Sequence, residues 1–415
     1  MGRITIRLFF IKKLRNMNEK NNIFLPEFGY VRAEHFSAVY PEINHWLLSK
    51  KEFMPSRDGD VKETMDFKTT LTNPYNRCVG GYGRNINIFF LFAEAMWIAL
   101  GRKDVEFLTI FNSGMAKYSD NGEVFHAPYG HRLRNWGVRS EDKFTEDNLS
   151  NSKGQDQVID AIRILSQNPS TRQVVMSIWN PAFDLGAASK DIPCNDLVML
   201  KIRDGKLITT IANRSNDLHL GLPTNIFQFS FLTELMSLAL GIKLGTQTHN
   251  SQSLHVYSWS KPAERMEQAW LDFNHSKELY NGFETHSVPI DFKFETELAV
   301  SRFREIEYAL RIIVDNLLRV NAGEVDNNIE IQHLKSVSNY LFAVYRLLRL
   351  YVIYKQERED ASEAELQEIW TRYFNSVQSI EESMSGELGS GIDFMMLAKN
   401  WFASKMEGFG LIGTL

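Results

Sequence analysis

The alternation of apolar and polar positions divides the chain near residue 300. Before it, helical and strand-like runs are mixed; after it, apolar residues recur at helical spacing among many charges. The run FFLFAEAMWIAL (89–100) is apolar around its whole circumference and predicts a mostly buried helix with Glu94 in its middle. Residues 157–167 predict an amphipathic helix ended by Asn168-Pro169. The β-rich run QVVMSIW (173–179), bounded by Asn180-Pro181, predicts a strand. Residues 196–203 and 206–213 predict two strands joined through Asp204-Gly205, a two-residue hairpin turn. After Pro223, IFQFSFLTELMSLALG predicts a buried helix stopping at Gly241, and SLHVYSW (253–259) one more strand. Segments 301–320, 330–355, 363–385 and 393–406 predict helices, with breaks at Gly323 and at the EREDASE and GELGSG stretches. The expected division is an N-terminal extension (1–24), a mixed α/β region (25–298) and an all-helical C-terminal region (299–415) whose apolar stripes read as plain core.

Composition narrows the function more than the fold. With 415 residues, 44% of them hydrophobic and 23% charged, the chain can bury a sizeable core. A net charge of −5 gives no global basic field for nucleic acid or an anionic membrane, but leaves room for a local anion site built from a few arginines. No apolar stretch reaches the roughly 20 residues of a membrane span. The opening MGRITIRLFFIKKLRNMNEK has an apolar run too brief for a signal peptide. Two cysteines, Cys78 and Cys194, can make neither a disulfide framework nor a multi-cysteine metal site. The expectation is a cytoplasmic protein without a metal.

Cys194 lies in DIPCN, where Pro193 and polar flanks place it in a loop or at a strand edge. A lone cysteine is either a small buried hydrophobe or a nucleophile, and the second needs a cation beside it. If Asp204-Gly205 is the turn, the hairpin brings Arg214 back to the end of the pair where Cys194 sits. Arg214 with Ser215, Arg172 in NPSTR and Arg57 in SRDG stand in turn-like contexts suited to phosphate, or equally to solvent. Glu94 either faces out of its helix or lines a pocket, where a raised pKa would let it relay protons. Asn225 is a helix-start polar residue or an amide that reads a base edge. His255 and Tyr257, two apart on a strand, share one face and could hold a sugar hydroxyl.

These pieces occur in a fixed order. PCN, IRDGKL, NRSND, LGLPTN and SLHVYS together resemble the thymidylate synthase and pyrimidine nucleotide hydroxymethylase superfamily, over roughly residues 55–295. The resemblance implies an α/β (α+β) fold, a large bent mixed sheet packed with helices in an obligate homodimer, here followed by the helical region. It implies that Cys194 attacks carbon 6 of a pyrimidine, making carbon 5 nucleophilic towards 5,10-methylenetetrahydrofolate. It implies catalytic roles for Glu94 (proton-relay waters) and Tyr129 (proton removal at carbon 5), and phosphate binding by Arg57, Arg214, Ser215 and the Arg172 of the other subunit. Asp217 matches the folate-contacting aspartate, His255 and Tyr257 the ribose ligands, and Asn225 the side chain selecting uracil over cytosine.

The departures bear on the outcome of the reaction. Asn195 stands where bacterial thymidylate synthases usually have histidine, Asn213 where they have glutamine, and Gln173 where they have a second arginine. Met115 and Tyr118 align with two tryptophans, one of which shields the one-carbon intermediate from water. The leading expectation is conversion of dUMP to dTMP. Hydroxymethylation of dUMP or another pyrimidine nucleotide is the alternative, and an inactive nucleotide-binding or assembly protein is the reading from another class.

Overall fold

The computed structural model describes residues 22–80, 85–141, 154–272, 287–359, 361–389 and 392–407. Its frame is a mixed sheet. Strands β1 (Ile23–Leu25), β2 (Tyr30–Ala33), β3 (Val61–Leu71), β4 (Val174–Ser177), β5 (Asn195–Arg203), β6 (Lys206–Asn213) and β8 (Lys243–Tyr257) run in the order β1-β2-β3-β8-β6-β5-β4, and the short β7 (Asn216–Asp217) pairs with β8. The long β8 is central, antiparallel to β3 and parallel to β6 and β7. The β5–β6 hairpin turns at Asp204 and Gly205, with φ of 51° and 66°. Positive φ at both residues is what a two-residue hairpin turn matching strand twist requires, and Asp-Gly meets it at little steric cost.

Helices cover the sheet. After α1 (Tyr40–Leu48) comes α2 (Ile88–Ala99), of which ten of twelve residues are buried, as its all-round apolar sequence demands. The Asn87 side chain caps α2 by accepting from Phe90 N at 3.0 Å. Next are α3 (Val105–Phe111), α4 (Tyr129–Arg134), α5 (Gln157–Gln167), α6 (Pro181–Asp184), α7 (Leu222–Leu240) and α8 (Lys261–Asp272). Helix α5 has the predicted bounds, and α7 ends at Gly241 as expected. The strand predicted over 253–259 is the end of the longer β8, which stops at Tyr257. The N-terminal extension falls mostly outside the described residues, but its last residues begin β1.

The helical region comprises α9 (Ala299–Asn321), α10 (Asn328–Val337), α11 (Asn339–Glu359), α12 (Glu363–Leu388) and α13 (Asp393–Glu407). The single helix expected over 330–355 is two, broken at Ser338. There the Asp291 carboxylate accepts from Asn339 N at 3.0 Å and Tyr340 N at 2.8 Å, so a new helix is capped from a distant segment. Ser362, within the expected break, forms a capping box with Glu365 that starts α12. These helices share one apolar core with the sheet and its helices. Helix α9 lies on α5 and α7, while α11 and α13 lie on α2. Phe89 of α2 stacks on Tyr351 of α11 with ring centroids 4.4 Å apart. Among the described residues no helix is long and apolar enough to cross a membrane.

Candidate active site

The start of β5 and the end of β6 meet because their hairpin register pairs Asn195 with Asn213. Cys194 immediately precedes β5 and Arg214 immediately follows β6, so the two lie side by side. Arg214 N donates to Cys194 O at 3.0 Å, and Arg214 Nη2 stands 3.6 Å from Cys194 Sγ. The guanidinium also donates to Pro193 O through Nε and to Ile192 O through Nη2, at 2.8 and 3.1 Å, and lies over the Trp179 ring. Arg214 draws the Cys194 pKa down, but burial raises it more, so the resting thiol sits above its ordinary value. Arg57 is exposed and paired with Asp58, and its charge reaches Cys194 and Tyr257.

A second wall comes from α4 and α2. Cys194 N donates to Tyr129 Oη at 3.4 Å, which places the phenol at the first turn of α4 beside the cysteine. The residue after it, Gly130, lets α4 close on α2: a Cβ there would lie 2.4 Å from Ile98 O. Burial raises the Tyr129 pKa. Glu94, on α2, keeps Oε2 fully buried without a hydrogen-bond partner among the described residues, and its carboxyl is pushed up to about 8, mainly by burial. A hydrogen bond from Gln228 of α7 opposes that shift. Of the two readings left open for Glu94, the inward one is observed: at neutral pH it is a protonated acid facing the same region.

The third wall is β7 against β8. Asp217 pairs with His255 in register, and Leu218 N donates to His255 O at 2.8 Å. His255 and Tyr257 share a face, with ring centroids 5.2 Å apart and edge to face, and Tyr257 stacks on the half-exposed Trp259 at 4.8 Å. Desolvation lowers the His255 pKa, keeping the imidazole neutral, while Asp217 pulls the other way. Asp217 Oδ1 accepts from His219 N at 2.6 Å, and His219 bridges Tyr40 and Asn44 of α1, pinning the loop. Asn225 sits in the first turns of α7 and reaches Asn195, beside the cysteine. Ser215 is half-buried between β6 and β7.

Arg172 stands apart. It is exposed just before the edge strand β4 and has no hydrogen-bond or ion-pair partner among the described residues. The structure thus gathers Cys194, Arg214, Tyr129, Asn225, Asp217 and His255 through direct contacts or register, with Glu94, Arg57 and Tyr257 adjoining, and leaves Arg172 outside.

Sequence reasoning passed over three neighbours. Asp191, three residues before Cys194, accepts from Ala127 N at 2.8 Å, and burial raises its pKa. Its place in the DIPCN string was the available signal. Asp196, alternating with Cys194 along the chain, titrates at about 6, raised by burial. Gln228, the partner of Glu94, lies one helical step after Asn225 on a helix otherwise read as apolar. Met115 and Tyr118 occupy a 3-10 turn (Ser113–Tyr118) where both are half-buried and the other four residues of the turn are exposed.

Comparison with known proteins places the chain rather than its individual residues. The chain is 39% identical over 223 residues to the deoxyuridylate hydroxymethyltransferase of Bacillus phage SP01, covering 53% of this chain and 57% of the relative. It is 33% identical over 230 residues to the protein of that name from Pseudomonas phage M6, covering 55% and 61%. It is also 38% identical over 129 residues to the thymidylate synthase 1/2 of Encephalitozoon cuniculi, covering 31% and 42%. The matched part thus spans little more than half the length of the phage relatives. The family model described as thymidylate synthase matches residues 83–300, more than half of the chain, and the chain belongs to the thymidylate synthase family.

Proposed function

We propose that this chain transfers a one-carbon unit from 5,10-methylenetetrahydrofolate to carbon 5 of dUMP and that the product is the 5-hydroxymethyl nucleotide. The observation that carries the chemistry is the Cys194 thiol set 3.6 Å from Arg214 Nη2 and hydrogen-bonded through its backbone to Tyr129. In this reading Cys194 gives up its proton and Sγ bonds to carbon 6, leaving carbon 5 nucleophilic. The folate supplies the one-carbon unit. Carbon 5 bonds to that unit, Glu94 and Tyr129 take the carbon 5 proton as the bond from the one-carbon unit to the folate nitrogen breaks and tetrahydrofolate leaves, water adds to the exocyclic carbon, and loss of the carbon 6–sulfur bond returns the thiolate and frees the product. Arg57, Arg214 and Ser215 bind the phosphate, His255 and Tyr257 the sugar hydroxyl, and Asn225 the uracil edge. Asp217, with Met115 and Tyr118, faces the folate.

The hydroxymethyl branch, rather than the methyl branch that the sequence reading placed first, is supported by the names of the phage relatives and by the Met115–Tyr118 turn. Where water enters, addition competes with hydride transfer. Methyl transfer remains the second reading, because the microsporidian synthase is also similar. Arg172, exposed and unpaired among the described residues, supports a homodimer in which it reaches the partner's phosphate.

The test is to incubate the purified protein with dUMP and methylenetetrahydrofolate and to identify the product by mass spectrometry while following dihydrofolate absorbance. A hydroxymethyl nucleotide without dihydrofolate is expected. Production of dTMP with dihydrofolate would assign methyl transfer instead. Cys194→Ala must abolish either activity, and turnover in that variant would remove the mechanism.

A further inference from the structure

Four buried amides and a hydroxyl form one directed chain behind Cys194. Asn213 Nδ2 donates to Asn195 Oδ1. Asn195 Nδ2 donates to Asn225 Oδ1 at 3.0 Å, Asn225 Nδ2 to Asn216 Oδ1 at 3.1 Å, and Asn216 Nδ2 to Ser251 Oγ at 3.2 Å. None of the five is more than 6% exposed. They come from β5, β6, β7, α7 and β8, so only the assembled fold brings them together.

Asn225 keeps one N–H and one oxygen lone pair beyond these bonds. A uracil edge presents an acceptor at O4 and a donor at N3; a cytosine edge presents a donor and an acceptor in the reverse arrangement. One amide can satisfy either, depending on which way round it is held. Turning Asn225 alone would set its N–H2 against that of Asn195 and its oxygen against that of Asn216, leaving buried groups unpaired. The amide can therefore turn only if its neighbours turn with it.

We propose that Asn195 is a specificity-determining positioning residue: its N–H, donated to Asn225 Oδ1 and held in place by Asn213, fixes which end of the Asn225 amide meets each atom of the pyrimidine edge. Base preference then belongs to the chain and not to Asn225 alone. This rests on the reading that the site takes a pyrimidine nucleotide.

Two isosteric substitutions flanking Asn225 have opposite consequences. With Asn195→Asp the position only accepts; two N–H donors, from Asn213 and a turned Asn225, favour the ionised carboxylate. Asn216 turns in step, and the Ser251 hydroxyl donates to it. With Asn216→Asp the carboxylate accepts from Asn225 just as the amide oxygen does, and from Ser251, so Asn225 stays put. Calorimetric Kd values for dUMP and dCMP on the full-length protein read the orientation without requiring turnover. The dCMP:dUMP ratio of Kd values should fall about ten-fold or more in Asn195→Asp, and stay within about threefold of wild type in Asn216→Asp. Loss of folding would weaken both nucleotides together and leave their ratio. In variants whose circular dichroism matches the wild type, an unchanged ratio in Asn195→Asp, or an equal fall in both variants, overturns the proposal, as does a wild-type protein that binds neither nucleotide. Asn195→Ala removes the donor without adding charge and must also lower the ratio; if it does not, the proposal fails whatever the aspartate does. Tritium release from carbon 5 of dUMP is measured alongside. Binding with the expected ratios but no release refutes the reaction assigned above and leaves the amide chain standing.

Discussion

The Arg214 guanidinium stands 3.6 Å from the Cys194 sulfur while donating to two carbonyls of the cysteine's own loop, Pro193 O and Ile192 O. One planar group thus fixes the loop and supplies the positive charge that favours a thiolate. Replacement by glutamine removes the charge. The pH midpoint for alkylation of Cys194 by iodoacetamide should move up by about one unit. Cys78 is buried with its thiol pushed well up and stays silent in this assay. An unmoved midpoint would mean that Arg214 serves only the loop.

Glu94 titrates near 8 in the fold against an ordinary 4.5, because burial disfavours its charged form. The native state therefore holds this proton more tightly than the unfolded chain does. Its contribution to stability is complete below about pH 4.5 and is lost as pH rises toward 8. Glu94→Gln is neutral throughout and lacks that loss. Urea unfolding at about pH 5 and about pH 8.5 should show the wild type losing more stability between the two, by on the order of a few kcal/mol, while the variant loses proton-relay activity.

Tyr129 Oη accepts from Cys194 N, so Tyr129→Phe removes both the hydroxyl proposed to take part in proton removal and one anchor of the cysteine loop. Tritium release from carbon 5 of dUMP should slow by about a hundredfold or more, with dUMP affinity little changed. A comparable loss of affinity would assign the phenol to binding instead.

The helical region is joined to the sheet half by charge as well as by packing. Arg134 Nη2 donates to Glu307 Oε1 of α9 at 2.7 Å and to Asp156 at 2.8 Å, and the Arg134 and Glu307 side chains are 7% and 5% exposed. Removing one partner of such a pair typically costs about 3–5 kcal/mol. Glu307→Ala should lie toward the low end because Asp156 remains, read as a lowered urea midpoint. Truncation after residue 298 should yield insoluble protein, since it uncovers Phe89 and Phe92 of α2. A soluble, folded fragment would make the helices a separate unit.

Much of this site was legible in the chain because its signals are local. Asp204-Gly205 determines the hairpin, and the hairpin alone puts Arg214 beside Cys194. The all-round apolar run marks α2 as buried, and Asn168-Pro169 ends α5. The break at Ser338 was not legible, because the carboxylate that caps the new helix is Asp291, far off in sequence.

What the sequence by itself determined is the set of chemical groups and their order: a thiol, a buried carboxyl, an amide, arginines and a histidine–tyrosine strand. Only the tertiary structure decided which way each group is held and what charge it carries. Glu94 could have faced outward; burial turned it into an acid near 8, against the opposing hydrogen bond from Gln228. Asn225 could have been a helix-start residue; Asn195 and Asn216 bind both ends of its amide. The physical reason is common to both. Hydrogen bonds and desolvation act over a few ångströms between residues that only the assembled sheet brings together, and periodicity along the chain carries no record of them.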